Sequence, residues 1–272
     1  MLFRSFNIIC FSETWLNDRN VDNSNYKLPN YSSIHQIRTH SRGGGVSVYI
    51  HKDFEFKIRN DLSINCKDVE SLGVELLHDK KKNTLFNVLC RPPNGQIETF
   101  ENFLRHLFHE NKNSNKNFHI AGDFNLNLLD HNENKKVQNF LNIIHQNGML
   151  PTINKPTRVT RKSATAIDHI ITNNYIESSF KTAIVKSDIS DHFPMCILFP
   201  SDTSSAENEI LYQYKRIIDN ERITAFSQKL FEYDWKDIIA QNKPNEAYEL
   251  FLKDFSALYE AYVPLKEKIR KI

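Results

Sequence analysis

Up to Pro200 the chain is a succession of short apolar runs, and three of them lead directly into polar clusters. These clusters are Ser12-Glu13, Gly122-Asp123-Phe124-Asn125 and Ser187-Asp188-Ile189-Ser190-Asp191-His192. The pattern is a tight constraint on the fold. A carboxylate at a strand end is held by rigid backbone and points away from the core, and such ends from neighbouring strands can converge on one rim. Strand candidates are Asn7 to Phe11, Tyr31 to Arg38, Gly45 to His51, Glu70 to Leu77, Leu85 to Cys90, Phe118 to Ala121, Ala166 to Thr172, Thr182 to Lys186 and Phe193 to Phe199. Val46-Ser47-Val48-Tyr49-Ile50 alternates in the manner of a half-buried strand, whereas Phe118-His119-Ile120-Ala121 reads as buried on both faces. Two helices interrupt the series, Glu98 to His109 and Lys135 to Gln146, each with an apolar stripe and the second with Gly148 as a stop. Many strands with few helices predict an α+β layered sandwich rather than a doubly wound sheet.

The pattern changes at Pro200. Ser201 to Glu209 is polar and aperiodic and reads as a linker. Beyond it the periodicity is helical: Asn245 caps a helix with the stripe Tyr248, Phe251, Phe255, Leu258, Tyr259 and Tyr262, ended by Pro264. The expected division is residues 1–200 and 201–272. Lys80-Lys81-Lys82-Asn83 reads as a solvated hairpin tip. Among 272 residues, nineteen Phe and ten Tyr suffice for a sizeable core, and the net charge of +2 is too small to announce nucleic-acid binding yet leaves a polyanionic substrate open. Cys10, Cys66, Cys90 and Cys196 form no CxxC pair, which argues against a zinc knuckle and for a reducing, intracellular setting. Ile8 to Phe11 is far shorter than the ~20 apolar residues of a membrane span.

The acidic clusters carry the chemistry. Oxygen-rich strand ends suit hard divalent cations such as Mg²⁺. Phosphodiester hydrolysis further needs a carboxylate to orient or deprotonate water, a neutral donor to the phosphoryl oxygen and an acidic group near the phosphate. Glu13 has the chemistry to bind the metal, Asp123 to activate water, Asn125 to donate to the phosphoryl oxygen and His192 to contact the phosphate, with Asp168 fixing the His192 tautomer. Taken alone each motif has a plainer reading. Asp-Phe-Asn favours turns, Glu13 is a helix N-terminal charge, and His119 and His169 sit among apolar residues as structural histidines.

Six motifs occur in order: Cys10-Phe11-Ser12-Glu13-Thr14-Trp15-Leu16, Arg42-Gly43-Gly44-Gly45-Val46, Arg91-Pro92-Pro93-Asn94, Gly122-Asp123-Phe124-Asn125, Ile167-Asp168-His169-Ile170 and Ser190-Asp191-His192-Phe193-Pro194. In this the chain, from about Asn7 to Phe199, resembles the endonuclease domain of non-LTR (LINE-type) retrotransposon polyproteins. The segment from about Ile210 is similar to the one that joins that domain to reverse transcriptase. The resemblance implies a four-layer α/β sandwich of the DNase I-like type, two packed sheets flanked by helices, with a helical C-terminal extension. It implies Glu13 and Asp191 as metal residues and Asp123, Asn125, Asp168, Asp191 and His192 as catalytic residues. Ser190, Thr157 and Arg91 are implied on the phosphate side. The implied reaction is Mg²⁺-dependent nicking of double-stranded DNA, with Mn²⁺ as a substitute, leaving a 3′-hydroxyl that primes reverse transcription. Its implied partner is a reverse transcriptase domain of the same polyprotein, its site of action the nucleus, with no membrane. Two departures accompany the resemblance. Relatives carry a strand with an active-site Asn ahead of the segment matching Asn7 to Glu13, and many have a Tyr where this chain has Cys90, a weaker donor. The expectation is an amino-terminally truncated copy of low activity. The alternatives are another phosphodiesterase or phosphatase of the same superfamily, acting on abasic DNA or inositol phosphates, and a catalytically dead nucleic-acid-binding remnant.

Overall fold

Alternating apolar residues become strands wherever two layers are available to bury them. The computed structural model describes residues 6–18, 26–79, 81–175, 180–187, 189–200 and 211–270, and the chain divides into two units, Met1–Ser201 and Asp202–Ile272. The first unit opens with β1 (Ile8–Ser12), β2 (Tyr31–Gln36), β3 (Val46–His51), β4 (Phe56–Ile58), β5 (Ile64–Asn65), β6 (Glu70–Leu76) and β7 (Thr84–Cys90). Then come α1 (Ile97–Asn111), β8 (Asn117–Asp123), α2 (Lys135–Gln146), β9 (Leu150–Pro151), β10 (Arg158–Val159), β11 (Ala164–Thr165), β12 (Asp168–Thr172), β13 (Lys181–Ile184) and β14 (Met195–Leu198). Each strand and helix expected in this unit is found within two residues of its expected bounds. The expected Ser201 to Glu209 linker, Lys80 and Asp188 lie outside the described residues.

A seven-stranded mixed sheet runs in the order β4-β6-β7-β8-β12-β9, with β5 added on β6. Only β7 and β8 pair in parallel, and α1 supplies the crossover that parallel neighbours require. On one face of this sheet, α1 and α2 close a core in which Phe100, Phe124 and Phe140 are fully buried. On the other face lies the three-stranded sheet β1-β3-β2, packed through Val46, Val48 and Ile50 against Leu72, Val74, Leu76 and Val88. The intervening residues of that small sheet, Ile9, Tyr31 and Tyr49, point outward to Phe6 and Leu28. Strand periodicity of two thus sorts one sequence into two layers. The arrangement is the α+β, DNase I-like sandwich expected from the sequence.

The second layer is open in one place. β1 pairs with β3 and lies over β7 and β8; β14 pairs with β13 and lies over β12. Between them Ala121, in the middle of central strand β8, remains partly exposed.

The second unit corrects an expectation. Besides α3 (Asn220–Glu232), α4 (Lys236–Ile239) and α5 (Pro244–Tyr262) it holds an antiparallel pair, β15 (Leu211–Arg216) and β16 (Leu265–Arg270), where helix alone was expected. Pro264 stops α5, and the chain then pairs with a segment about fifty residues earlier, which no local periodicity announces. Helix α5 starts at Pro244, not at an Asn245 cap, because proline lacks the N–H that a first turn leaves without an intrahelical partner. Its stripe divides: Phe255 and Tyr259 pack edge-on against Phe226, while Tyr248 and Phe251 stay exposed.

Phe140 stacks on Phe100 at 5.9 Å and meets Phe124 edge-on at 5.8 Å between ring centroids. Phe140→Ala is expected to destabilise the first unit by about 3–5 kcal/mol, read as a shift of the denaturant midpoint.

Candidate active site

Strand β8 delivers Asp123 to the sheet end, and its neighbours set what surrounds it. In register, Cys90 of β7 stands on one side and Asp168 of β12 on the other. Gly122 has φ of 146°, and a Cβ there would sit 1.8 Å from the carbonyl oxygen of Leu89, so only glycine permits this close parallel pairing. Past Asp123 the chain turns sharply, with Asn125 at φ of 48°. Asp123 Oδ1 accepts from the Asn125 backbone N–H at 2.9 Å, and the Asn125 side-chain amide donates to the Arg91 carbonyl at 2.8 Å. Asn127 Oδ1 accepts from the Ala166 N–H at 2.9 Å, tying the turn to the approach to β12.

A second group meets Asp123 from β12 and the segment before β14. His192 Nδ1–H donates to both oxygens of Asp168, at 3.0 and 2.9 Å. Thr157 Oγ1–H donates to Asp168 Oδ2 at 2.6 Å while accepting from the N–H groups of Ile167 and Asp168. The carboxylate fixes the tautomer and leaves Nε2 as the ring atom able to meet a substrate. Asp123, Asp168 and His192 each offer an atom within 4.8 Å of the others. Burial, and next the charge of Asp168, push the Asp123 carboxyl up to about 6. The hydrogen bond to Asp168 raises the His192 imidazolium above its ordinary value against the opposing effect of burial.

Glu13, just past β1, stands on the other side of Cys90. Cys90 Sγ–H donates to Glu13 Oε1 at 3.8 Å, the Gly44 N–H donates to Oε2 at 3.0 Å, and the side chain is 42% exposed. Arg38 lies between two acids: its guanidinium forms a fork on buried Glu70 at 2.6 and 2.8 Å and reaches Glu13 at 3.5 Å. Glu70 also accepts from the Gly45 N–H at 3.0 Å. Mg²⁺ prefers oxygen ligands, one or two carboxylates together with waters and substrate phosphate. Glu13, half-exposed beside the Asp123 group, fits that demand. Asp168 is committed to His192 and Thr157, and an imidazole is a poor partner for so hard an ion.

Two expected roles are corrected. Arg91 is buried and donates to the carbonyls of Phe124, Asn125 and Gly95 at 2.8, 2.7 and 2.7 Å, so it secures the turn and has no face toward a phosphate. Thr157 is fully buried and orients Asp168 instead of binding phosphate. Asp191 is exposed and bridged to Arg158 at 2.7 Å, outside the Asp123–Asp168–His192 group, and its charge acts on His192. Ser190 is exposed and its hydroxyl oxygen accepts from the His192 N–H at 3.2 Å. Arg38 and Glu70 were missed by sequence reasoning. Their one signal was an acid opening the otherwise apolar run Val69-Glu70-Ser71-Leu72.

The sequence profile of the Endonuclease/Exonuclease/phosphatase family matches residues 2–192. The chain belongs to this family. Its members are hydrolytic nucleases and phosphatases, generally dependent on divalent metal. Among solved structures the chain is similar to the AP endonuclease LMAP from Leishmania major, with TM-score 0.55 and 13% identity over 70% of this chain and 77% of that one. It is similar to the catalytic domain of Xenopus laevis APE2, with TM-score 0.54 and 18% identity over 72% and 83%. A third is the endonuclease domain of TRAS1, a telomere-specific non-LTR retrotransposon, with TM-score 0.52 and 12% identity over 62% and 78%. At such identities the likeness is one of fold. No curated protein sequence matches the chain. Among the described residues no helix is long and apolar enough to cross a membrane.

Two outcomes follow from this family site. A carboxyl raised to about 6 by burial destabilises the fold once ionised, so that penalty is present above pH ~6 and relieved below it. Asp123→Asn is therefore expected to raise the melting temperature at pH 7.5, by roughly 2–4 °C per kcal/mol relieved, and the gain should shrink as pH falls below about 6 and vanish only below the ordinary carboxyl value of 3.8. His192 has the opposite sign: its bond to Asp168 favours the imidazolium and stabilises the fold at low pH, an advantage lost as pH rises through its folded-state value. NMR titration of Asp168→Asn should find the His192 value lower than in the parent; an unchanged value would contradict the assigned bond.

Proposed function

We propose that the chain is a Mg²⁺-dependent phosphodiesterase that nicks double-stranded DNA, of the kind that primes reverse transcription in a LINE-type retroelement. The observation that carries this reading is the buried Asp123 set within reach of the His192–Asp168 pair. Asp123 accepts a proton from the attacking water, since its raised basicity suits proton transfer near neutral pH. His192, whose imidazolium form the bond to Asp168 favours, donates through Nε2 to a phosphoryl oxygen or the departing oxygen. Ser190, exposed at the same segment, donates its hydroxyl to the phosphate. The Asn125 amide, anchored by one hydrogen to the Arg91 carbonyl, keeps the other for the substrate. A cation held at Glu13 would neutralise phosphate charge as it develops. The order of the six motifs supports the retroelement reading over other members of the family. On this reading the second unit is the segment that leads to a reverse transcriptase, and the protein works in the nucleus. Cys90 supplies a thiol that burial keeps neutral and that donates weakly, so the expected rate is low.

The test is relaxation of supercoiled plasmid with Mg²⁺, with Mn²⁺ and with chelator, alongside duplex carrying an abasic site, a 3′-phosphate oligomer and inositol phosphates. Nicking of ordinary duplex is expected with either metal, abolished by chelator, and reduced on the order of 10²-fold or more by Asp123→Asn or His192→Ala. Turnover of abasic or 3′-phosphate DNA without nicking of intact duplex would assign a repair role instead. Inertness toward every substrate would leave a non-catalytic remnant.

A further inference from the structure

At Glu13 and Trp15 the backbone is strained. Glu13 and Trp15 both have positive φ, 53° and 55°, a region that bulky residues rarely occupy and that persists only when surrounding contacts enforce it. Here the enforcement comes from the glycine loop. The Trp15 N–H donates to the Gly44 carbonyl at 2.8 Å and the Thr14 N–H to the Gly45 carbonyl at 3.2 Å, while Gly44 N–H holds the Glu13 carboxylate. Gly43 lies so close under the indole that a Cβ there would stand 3.1 Å from its ring carbons. The product of this strain is an aromatic ring turned outward: Trp15 is 56% exposed. The Arg42 guanidinium lies over it, 5.7 Å from the ring centroid.

A large indole that is rigidly braced yet left in water contributes little to stability. It makes sense as a contact surface. Its position says for what: Trp15 is two residues from Glu13, which touches Cys90, the sheet partner of Asp123. A substrate strand with its phosphate at Asp123 and His192 would continue past Glu13 toward this ring. Nucleic acid offers the two groups that an indole and a guanidinium recognise together, a π face and an adjacent phosphate. The geometry points to Trp15 and Arg42 as a substrate-positioning platform. In it the indole stacks on a base or sugar flanking the scissile phosphodiester and Arg42 pairs with a neighbouring phosphate. This rests on the reading of DNA as substrate.

The chain has two tryptophans, Trp15 and Trp235, so Trp235→Phe, a change in the second unit, leaves Trp15 as the sole indole reporter. The full-length Trp235→Phe protein is titrated with a duplex oligomer and with a single-stranded one, with Ca²⁺ replacing Mg²⁺. Trp15 fluorescence is expected to be quenched on saturation. Adding Trp15→Ala to the same protein should weaken binding between about 5- and 150-fold, the range of one base–aromatic stack, with Trp15→Phe intermediate. Arg42→Gln should reduce the slope of log affinity against log salt by about 1. In the plasmid assay Trp15→Phe should raise KM with little change in kcat. If DNA binds but neither quenches Trp15 nor responds to Trp15→Phe or Arg42→Gln, the platform is refuted while the DNA reading stands. If no oligomer binds at all, the DNA reading fails and takes the platform with it.

Discussion

The turn that carries Asp123 depends on the buried guanidinium of Arg91. Arg91 closes three loops at once by donating to the carbonyls of Phe124, Asn125 and Gly95, which joins the end of β7, the turn after β8 and the approach to α1. In return the Asn125 amide donates to the Arg91 carbonyl. A charge so deeply placed is costly unless each donor finds an acceptor, and a set of backbone carbonyls at the ends of elements is a way to provide them. Because the turn is fixed by these bonds, Asp123 is held in place with Phe124 locked into the helical core beneath it. Positioning and packing are here the same interaction seen from two sides.

Around that anchor the charge is acidic. Cys90 lies in the combined field of Asp123, Glu13 and Glu70, with Arg38 opposing them. On the proposed reading a polyanion approaching these acids would be repelled until a cation intervened, and a divalent ion beside Glu13 would reverse the local sign. The fork of Arg38 on Glu70 serves a related purpose. It neutralises the buried acid that organises the glycine loop, so the negative charge left at the rim belongs to the half-exposed Glu13.

What could be read from the sequence was whatever local periodicity encodes. Helix α2 was legible to the residue because Asn134 caps it, accepting from the Lys136 N–H, and its stripe is regular up to Gly148 at φ of 66°. Asp123, Asp168 and His192 were legible because each follows or opens a recognisable apolar run. Thr157 and Arg91 were named for the wrong task. Nothing in Pro156-Thr157-Arg158 or Arg91-Pro92-Pro93 tells whether a polar side chain turns inward to a carboxylate or a carbonyl, or outward to solvent; that is decided by elements distant in sequence. The two-residue strands β5, β9, β10 and β11 were invisible for a related reason, being too short to carry a period. Asp191, one residue from His192 in sequence, faces Arg158, a contact that no local pattern announces.

The order in which the chain contributes to its site has a kinetic meaning. Glu13, Cys90, Asp123, Asp168 and His192 come from widely separated positions along the first unit, and the bond from His192 to Asp168 requires nearly all of it to have been made. Such long-range pairing, and the parallel β7–β8 register above all, makes for slow folding and for assembly near its end. A ribosome-bound chain whose exposed part stops short of position 192 has its carboxylates but lacks its imidazole. On the proposed reading, hydrolytic capacity would then wait until the unit is whole.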